Sequence, residues 1–266
     1  MCKAANWKIT LPVLKQMVPH MNQIIYQNPA KRLLLILQNG QKITTQKNCL
    51  TVWREILEAE DDIGALIKLG KVASLPDEIE SFLNTYAPDL IDDGFYHWSR
   101  TIKTALIRQN LNEMWGIFLN RIDVHSINYL KMTANIIEIY NSGKKPLDKE
   151  QTDDLIEKSN GLIELIKQEP SLNENSKLHL TKYLNKLIEA LHEYHITGNQ
   201  EIFYILEGLM GHSFIDEDYA KILNGQSENS LGKKIADFIS FTANLISVTA
   251  GVPILAEAIK TLLEEK

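Results

Sequence analysis

Apolar side chains recur at spacings of three and four residues along nearly the whole chain. This spacing is typical of helices that present one face to a core. We therefore predict an all-α protein built as a multi-helix array or bundle. In the first half the pattern predicts helices over residues 49–59, 61–70, 77–86, 94–109, 111–121 and 124–140.

Capping residues indicate where several helices begin and end. Asn28 and Pro29 open a segment that closes at Asn39-Gly40, with proline in the first turn and glycine just past the end. Farther on, Asp148 and Gln151 have the spacing of a capping box, which predicts a helix that stops at Glu169-Pro170. The segment 32–46 has an alternative, because RLLLILQ-NG-QKITTQ also fits a small β-hairpin around an Asn-Gly turn. The proline and glycine positions favour the helix.

A polar segment with turn-forming residues separates the chain into two regions. Residues 141–146 (NSGKKP) contain turn residues and charge but no apolar anchor. We predict a boundary there, between an N-terminal helical region over 1–145 and a C-terminal helical bundle over 146–266.

The C-terminal segment 238–256 contains nineteen residues without a charge. Its apolar positions repeat in a heptad pattern, which is typical of a helix that packs along a partner helix. The seam consists of Phe238, Phe241, Leu245, Val248, Val252, Leu255, Ile259 and Leu262. We expect this helix to drive self-association of the chain into a homo-oligomer. The alternative is a membrane-inserting segment, since it is long enough and follows Lys233 and Lys234. Asn244, Gly251 and Pro253 disfavour insertion of a single copy.

Charge is distributed unevenly along the chain, whose formal net charge is −6. Residues 1–50 contain Lys and Arg but neither Asp nor Glu, and we call them the basic head. A nucleic acid, a nucleotide or an anionic lipid surface could bind such a segment. The candidates for anion contact are Lys31, Arg32, Lys42 and Lys47. The favoured interpretation is that the basic head docks on the acidic half 146–266, because the whole chain is acidic and lacks a helix-turn-helix or zinc-finger pattern.

No recognisable catalytic, cofactor or metal motif occurs in the sequence. The phosphate-binding glycine loops and the nucleophile elbow are missing, so we expect no enzyme and no cofactor. The nearest approach to a metal site is Glu189, His192, Glu193 and His195, but a di-iron bundle needs a second Glu-x-x-His. We therefore expect a solvated helix face there and no metal. Four aromatic residues are expected in the core: Trp98, Trp115, Tyr129 and Tyr140.

The remaining composition fits a cytoplasmic bacterial protein. Two cysteines, Cys2 and Cys49, cannot form a framework of disulfides, and we expect free thiols in a reducing compartment. The first twenty residues lack a continuous apolar core, so we expect no signal peptide. The sequence alone thus predicts a non-enzymatic interaction or regulatory protein, with membrane insertion and nucleic-acid binding as alternative functions.

Overall fold

The computed structural model describes residues 28–140, 146–212, 216, 219–220 and 230–250, with side chains of the last helix from 231 to 246. Those residues contain eleven α-helices, one 3-10 turn at Pro88–Leu90 and no β-strand, which confirms the all-α prediction. The helices are α1 (Pro29–Gln41), α2 (Cys49–Ile56), α3 (Asp62–Tyr86), α4 (Asp93–Arg108), α5 (Trp115–Leu119), α6 (Val124–Tyr140), α7 (Lys149–Gln168), α8 (Glu174–His192), α9 (Tyr194–Thr197), α10 (Asn199–His212) and α11 (Ser230–Ala250).

The described chain forms two compact units. The first unit contains residues 28–140 and 189–198, and the second contains 146–188, 199–212 and 230–250. The division into domains 1–145 and 146–266 stays a prediction. Among the described residues, 189–198 differ from that prediction, because they belong to the first compact unit although they follow residue 146 in the sequence.

Helix α1 occupies the segment for which a β-hairpin near 32–46 was the alternative, and the hairpin is wrong. The side chain of Asn28 accepts a hydrogen bond from the Lys31 amide at 3.0 Å, and Pro29 occupies the first turn. The Asn-Gly pair lies inside the last turn of the helix and not at a hairpin tip. There the carbonyl of Gly40 accepts a hydrogen bond from Trp115 Nε1 at 2.8 Å. This tertiary contact fixes the end of α1 in helical form.

Helix α3 is continuous where two helices, 61–70 and 77–86, were predicted. Asp61 caps its first turn by accepting a hydrogen bond from the Gly64 amide at 2.7 Å. Pro76 lies inside the helix and cannot donate the usual backbone hydrogen bond. Pro76 is buried, and its neighbours Leu75 and Ile79 are fully buried. Their packing offsets the missing bond.

The predicted helix over 111–121 is shorter than expected, because residues 110–114 form a turn instead. The Asn110 side chain accepts a hydrogen bond from the Asn112 amide at 3.0 Å, and the Cys49 amide donates to the Glu113 carbonyl at 2.8 Å. These bonds hold the backbone away from helical geometry until Trp115.

An aromatic cluster forms the core of the first unit. Trp53 and Trp115 are fully buried and meet edge to face at 5.1 Å between ring centroids, and Trp115 stacks on Phe118 at 4.6 Å. Trp98 and Trp115 are core residues, as expected. Tyr129 and Tyr140 are not, since they remain 41% and 49% exposed. Both lie on α6, which packs on α1 and α4.

The second unit begins with the predicted capping box. The Gln151 amide donates to Asp148 Oδ1 at 2.9 Å, and the Asp148 amide donates to Gln151 Oε1 at 3.0 Å. Helix α7 then ends at Gln168, just before Glu169-Pro170, as the sequence predicts. Helix α11 packs on α7 and α10, so the C-terminal helix has a partner inside its own unit.

Candidate interaction surfaces

The four predicted anion-contact residues each bind a polar side chain of their own unit. The pairs are Lys31–Glu138 at 3.4 Å, Arg32–Glu78 at 2.8 Å, Lys42–Asn39 at 3.1 Å and Lys47–Glu55 at 2.6 Å. The carboxylates therefore come from residues 55–138, whereas we expected them from the half 146–266. The other lysines of the basic head, Lys3, Lys8 and Lys15, lie outside the described residues.

Arg32 is the most buried of these cations. Its side chain is 11% exposed, and burial lowers the pKa of its guanidinium while the neighbouring Glu78 carboxylate raises it. Glu78 also accepts a hydrogen bond from the Ser74 hydroxyl at 3.3 Å. This pair connects α1 to α3 inside the unit, so Arg32 contributes to the fold.

The residues of the metal candidate serve different contacts. Glu193, whose side chain is 5% exposed, binds the ammonium of Lys71 at 2.5 Å and so joins residues 189–198 to α3. Loss of hydration lowers the pKa of the His195 imidazole. Across the described part of the chain, no three His, Cys, Asp or Glu side chains come together in a way that could hold a metal ion.

The described positions of the predicted heptad seam on α11 differ in their exposure. Phe238 is buried in the second unit, together with Ile239 and Ile246. Phe241 is 42% exposed, and Leu245 is half-buried. The ammonium of Lys158 on α7 lies 4.3 Å from the ring centroid of Phe241, a cation–π contact. Val248 lies in the helix, but its side chain is outside the described residues. The remaining seam positions lie wholly outside them: Val252, Leu255, Ile259 and Leu262.

Helix α6 presents a second apolar face to solvent, which the sequence analysis did not single out. Tyr129, Met132, Ile139 and Tyr140 are between 41% and 72% exposed, and Ile136 is half-buried. Their spacing of three and four residues places them on one side of the helix. That spacing was visible in the sequence, but it does not reveal which apolar side of α6 meets the core.

Two further properties bear on function: the hydropathy of the described helices and the similarity to known proteins. Among the described residues, no helix combines the length and the hydropathy needed to span a bilayer. No protein-family model, curated protein or solved structure matches the chain. Its function is therefore inferred from the exposed surfaces and the contacts of the chain itself.

A polar aromatic cluster in the second unit also escaped the sequence analysis. The rings of His179 and His212 face each other at 4.0 Å between centroids, and Tyr219 meets His212 edge to face at 4.7 Å. His212 Nε2 and the Tyr219 hydroxyl are buried and have no hydrogen-bond partner among the described residues. Burial lowers the pKa of His212, with His179 adding to the effect and Asp216 opposing it. Burial also raises the pKa of Tyr219. The cluster brings His179 of α8 and His212 of α10 together with Tyr219, and no local motif connects them.

Proposed function

We propose that the protein is a non-enzymatic interaction protein that self-associates through the outward face of α11. One observation supports this most directly. An aromatic side chain, Phe241, remains 42% exposed on a helix whose opposite face already packs in the second unit. Residues 238–256 carry no charge of their own, and the Lys158 ammonium, 4.3 Å from the Phe241 ring centroid, is a charged group beside this face.

The energetics favour a contact made by several seam positions together. Burying the rest of the Phe241 side chain stabilises an interface by about 2 kcal/mol, at roughly 25 cal/mol per Å² of apolar surface. Association itself costs at least about 4 kcal/mol in lost motional freedom. Phe241 alone is therefore insufficient. Leu245, Val248 and Val252 follow it at heptad spacing in the sequence, and we propose that they complete the seam.

Replacement of Phe241 by glutamate tests the proposal. The ammonium of Lys158, 4.3 Å from the ring centroid in the native protein, can pair with the new carboxylate, so the variant should keep its fold. In a partner interface, however, the carboxylate and the Lys158 ammonium would both lose hydration, at a cost of several kcal/mol. We expect sedimentation velocity in detergent-free buffer to show assemblies for the native chain and single chains of 30.3 kDa for Phe241→Glu.

The matched control is Leu178→Glu, which places the same charge on a 65% exposed side chain of α8 in the same unit. We expect this control to assemble like the native chain. If Phe241→Glu also assembles like the native chain, the outward face of α11 is not the self-association surface.

Membrane insertion and nucleic-acid binding by the basic head stay alternative predictions. A native chain that is single in buffer but pellets with lipid vesicles would favour the first of these.

A further inference from the structure

Two imidazole rings stack on each other where α8 meets the end of α10. The ring centroids of His179 and His212 are 4.0 Å apart, with an angle of 33° between the planes. One turn away, Tyr183 of α8 lies so close to α10 that a Cβ at Gly208 would be 3.0 Å from its ring. Both contacts repeat after four residues on each helix, which is the spacing of side chains on one helix face. The histidine pair therefore belongs to the packing of α8 on α10.

Short hydrogen bonds place Asp216 and Tyr219 beside the same pair. The Asp216 amide donates to the His212 carbonyl at 3.2 Å, and Asp216 Oδ1 accepts a hydrogen bond from the Tyr219 amide at 3.0 Å. The Tyr219 ring then meets His212 edge to face at 4.7 Å between centroids. Asn175 of α8 donates to Asp216 Oδ2 at 3.4 Å. One imidazole thus contacts side chains from α8 and from the residues that follow α10.

Three buried polar groups of this region have no hydrogen-bond partner among the described residues. They are His212 Nε2, the Tyr219 hydroxyl and the hydroxyl of Ser176, which lies one turn before His179. Each of them would gain hydrogen bonds if water reached it. Ring packing around His212 opposes that gain while the imidazoles are neutral. A charge on His212 would therefore change the balance between the stacked arrangement and a hydrated one.

Protonation of His212 makes the stacked arrangement unfavourable. An imidazolium has an N–H group at both ring nitrogens, so the buried Nε2 becomes a charged donor without an acceptor. The ring of His179, 4.0 Å away, faces this charge and repels it once it is protonated as well. Burial and His179 both lower the pKa of His212, while the Asp216 carboxylate opposes them. A charged ring gains full hydration only by leaving the stack.

The other titratable groups around His212 differ from it in their ordinary pKa. Tyr183 faces it from α8, at 6.4 Å between ring centroids. Helix α11 also packs on α10, and its charged side chains in the described range 231–246 are Lys233, Lys234 and Asp237. Histidine is the residue type whose unperturbed pKa lies between pH 5 and 8. Mild acidification therefore acts on this cluster through its two imidazoles.

We propose that this cluster is a pH-sensitive switch in which protonation of His212 separates the stacked rings and exposes Tyr219 to water. At neutral pH the two imidazoles are stacked and Tyr219 is fully buried. In acid the cluster opens, and the contact between α8 and the end of α10 loosens. The change is local, so the apolar core of the same unit stays closed. The switch does not depend on self-association through α11.

The test is hydroxyl-radical footprinting of the full chain at pH 7 and at pH 5.5, with the oxidation of Tyr219 divided by that of Tyr204. Tyr204 is the matched standard, because it is a tyrosine of α10 that is already 47% exposed. We expect the ratio to rise several-fold on acidification in the native chain. His192→Gln, which changes an exposed histidine of α8, should show the same rise. His212→Gln cannot take up the proton and should give equal ratios at the two pH values.

Three results would overturn the switch. The first is a native chain in which Tyr219 stays as protected at pH 5.5 as at pH 7. The second is an equal rise in His212→Gln, because another group would then be titrating. The third is oxidation of Phe203, which is 1% exposed at the core of the unit, in parallel with Tyr219, because the unit would then be unfolding as a whole.

The native chain also provides a test that needs no variant. The pH midpoint of Tyr219 exposure should coincide with the midpoint at which the His212 ring titrates, followed by NMR of isotope-labelled histidine. Separate midpoints for the two processes would contradict the proposed coupling.

Discussion

Gln109 illustrates how one side chain can connect distant parts of the first unit. Its Oε1 accepts hydrogen bonds from Trp53 Nε1 at 2.6 Å and from the Cys49 thiol at 3.4 Å, while its Nε2 donates to the Leu106 carbonyl at 2.8 Å. Trp53 is fully buried, so its N–H group needs an acceptor inside the protein. The 56 residues between Trp53 and Gln109 explain why no local motif revealed the contact.

Replacing Gln109 by leucine should destabilise the protein by about 1–3 kcal/mol, because the Trp53 N–H group stays buried and loses its acceptor. Urea denaturation monitored by tryptophan fluorescence measures the effect as a lower midpoint. The control is Gln200→Leu, in which the lost partner is the exposed Tyr204 hydroxyl, and we expect a change within about 0.5 kcal/mol. Equal midpoints for Gln109→Leu and the native chain would show that the hydrogen bond does not contribute to stability.

The histidines of the fold make stability depend on pH. Loss of hydration lowers the pKa of His195 in the first unit and of His212 in the second below 6.5. The unfolded chain therefore binds more protons than the folded chain as the pH falls through 6.5. The stability contributed by the neutral imidazoles is complete above that pH and is lost as the pH falls toward the lowered values.

We predict that the free energy of unfolding decreases between pH 7 and pH 5.5, and that His212→Gln makes this decrease smaller. Urea titrations at several pH values measure it, with His192→Gln, a change at an exposed histidine of α8, as the control. The direction in which the free energy of unfolding changes with pH tests the prediction. A protein that became more stable over this pH interval would contradict the assigned directions of both pKa shifts.

At the scale of single helices, the ends were more predictable than the interiors. Asn28, Asp61 and Asp148 cap helices by accepting a hydrogen bond from the amide three positions on, so their effect can be inferred from the sequence. Separate helices were predicted over 61–70 and 77–86, because local rules cannot include the packing that surrounds Pro76. The hairpin alternative near 32–46 failed for the same reason, since Trp115 is 75 residues from Gly40.

Two helical glycines should respond in opposite ways to substitution by alanine. A Cβ at Gly40 would lie 2.6 Å from Cζ2 of the buried Trp115, so Gly40→Ala should destabilise the protein by about 1–3 kcal/mol through overpacking. A Cβ at Gly70 meets no atom within 4 Å, so Gly70→Ala should stabilise α3 by up to about 1 kcal/mol. Thermal denaturation gives both values, and an unchanged melting temperature for Gly40→Ala would contradict the tight contact with Trp115.

The interaction surfaces show a further limit of sequence reasoning at this scale. The heptad spacing of 238–262 predicted a seam, but it could not show that Phe238 packs within the second unit while Phe241 faces outward. On α6 the apolar residues occupy both sides of the helix. Tyr129 and Tyr140 were assigned to the core, although both side chains stay more than 40% exposed. Which apolar face is buried depends on neighbouring helices that lie far away in the sequence.

At the scale of the whole molecule, charge is balanced mostly within the first unit. The excess of cations in residues 31–47 meets carboxylates at 55, 78 and 138, and Lys71 meets Glu193, which is 122 residues away. Composition alone could show the imbalance but not the partners. The exposed apolar side chains of α6 and α11 take no part in these pairings.

The proposed function depends on self-association of the full chain. Its most direct test is sedimentation of the native chain and of Phe241→Glu over a range of concentrations in detergent-free buffer. The proposed self-association predicts that the native chain exceeds 30.3 kDa increasingly with concentration and that Phe241→Glu stays at that mass. A native chain that sediments at 30.3 kDa at every concentration, or a variant that assembles equally well, would contradict it.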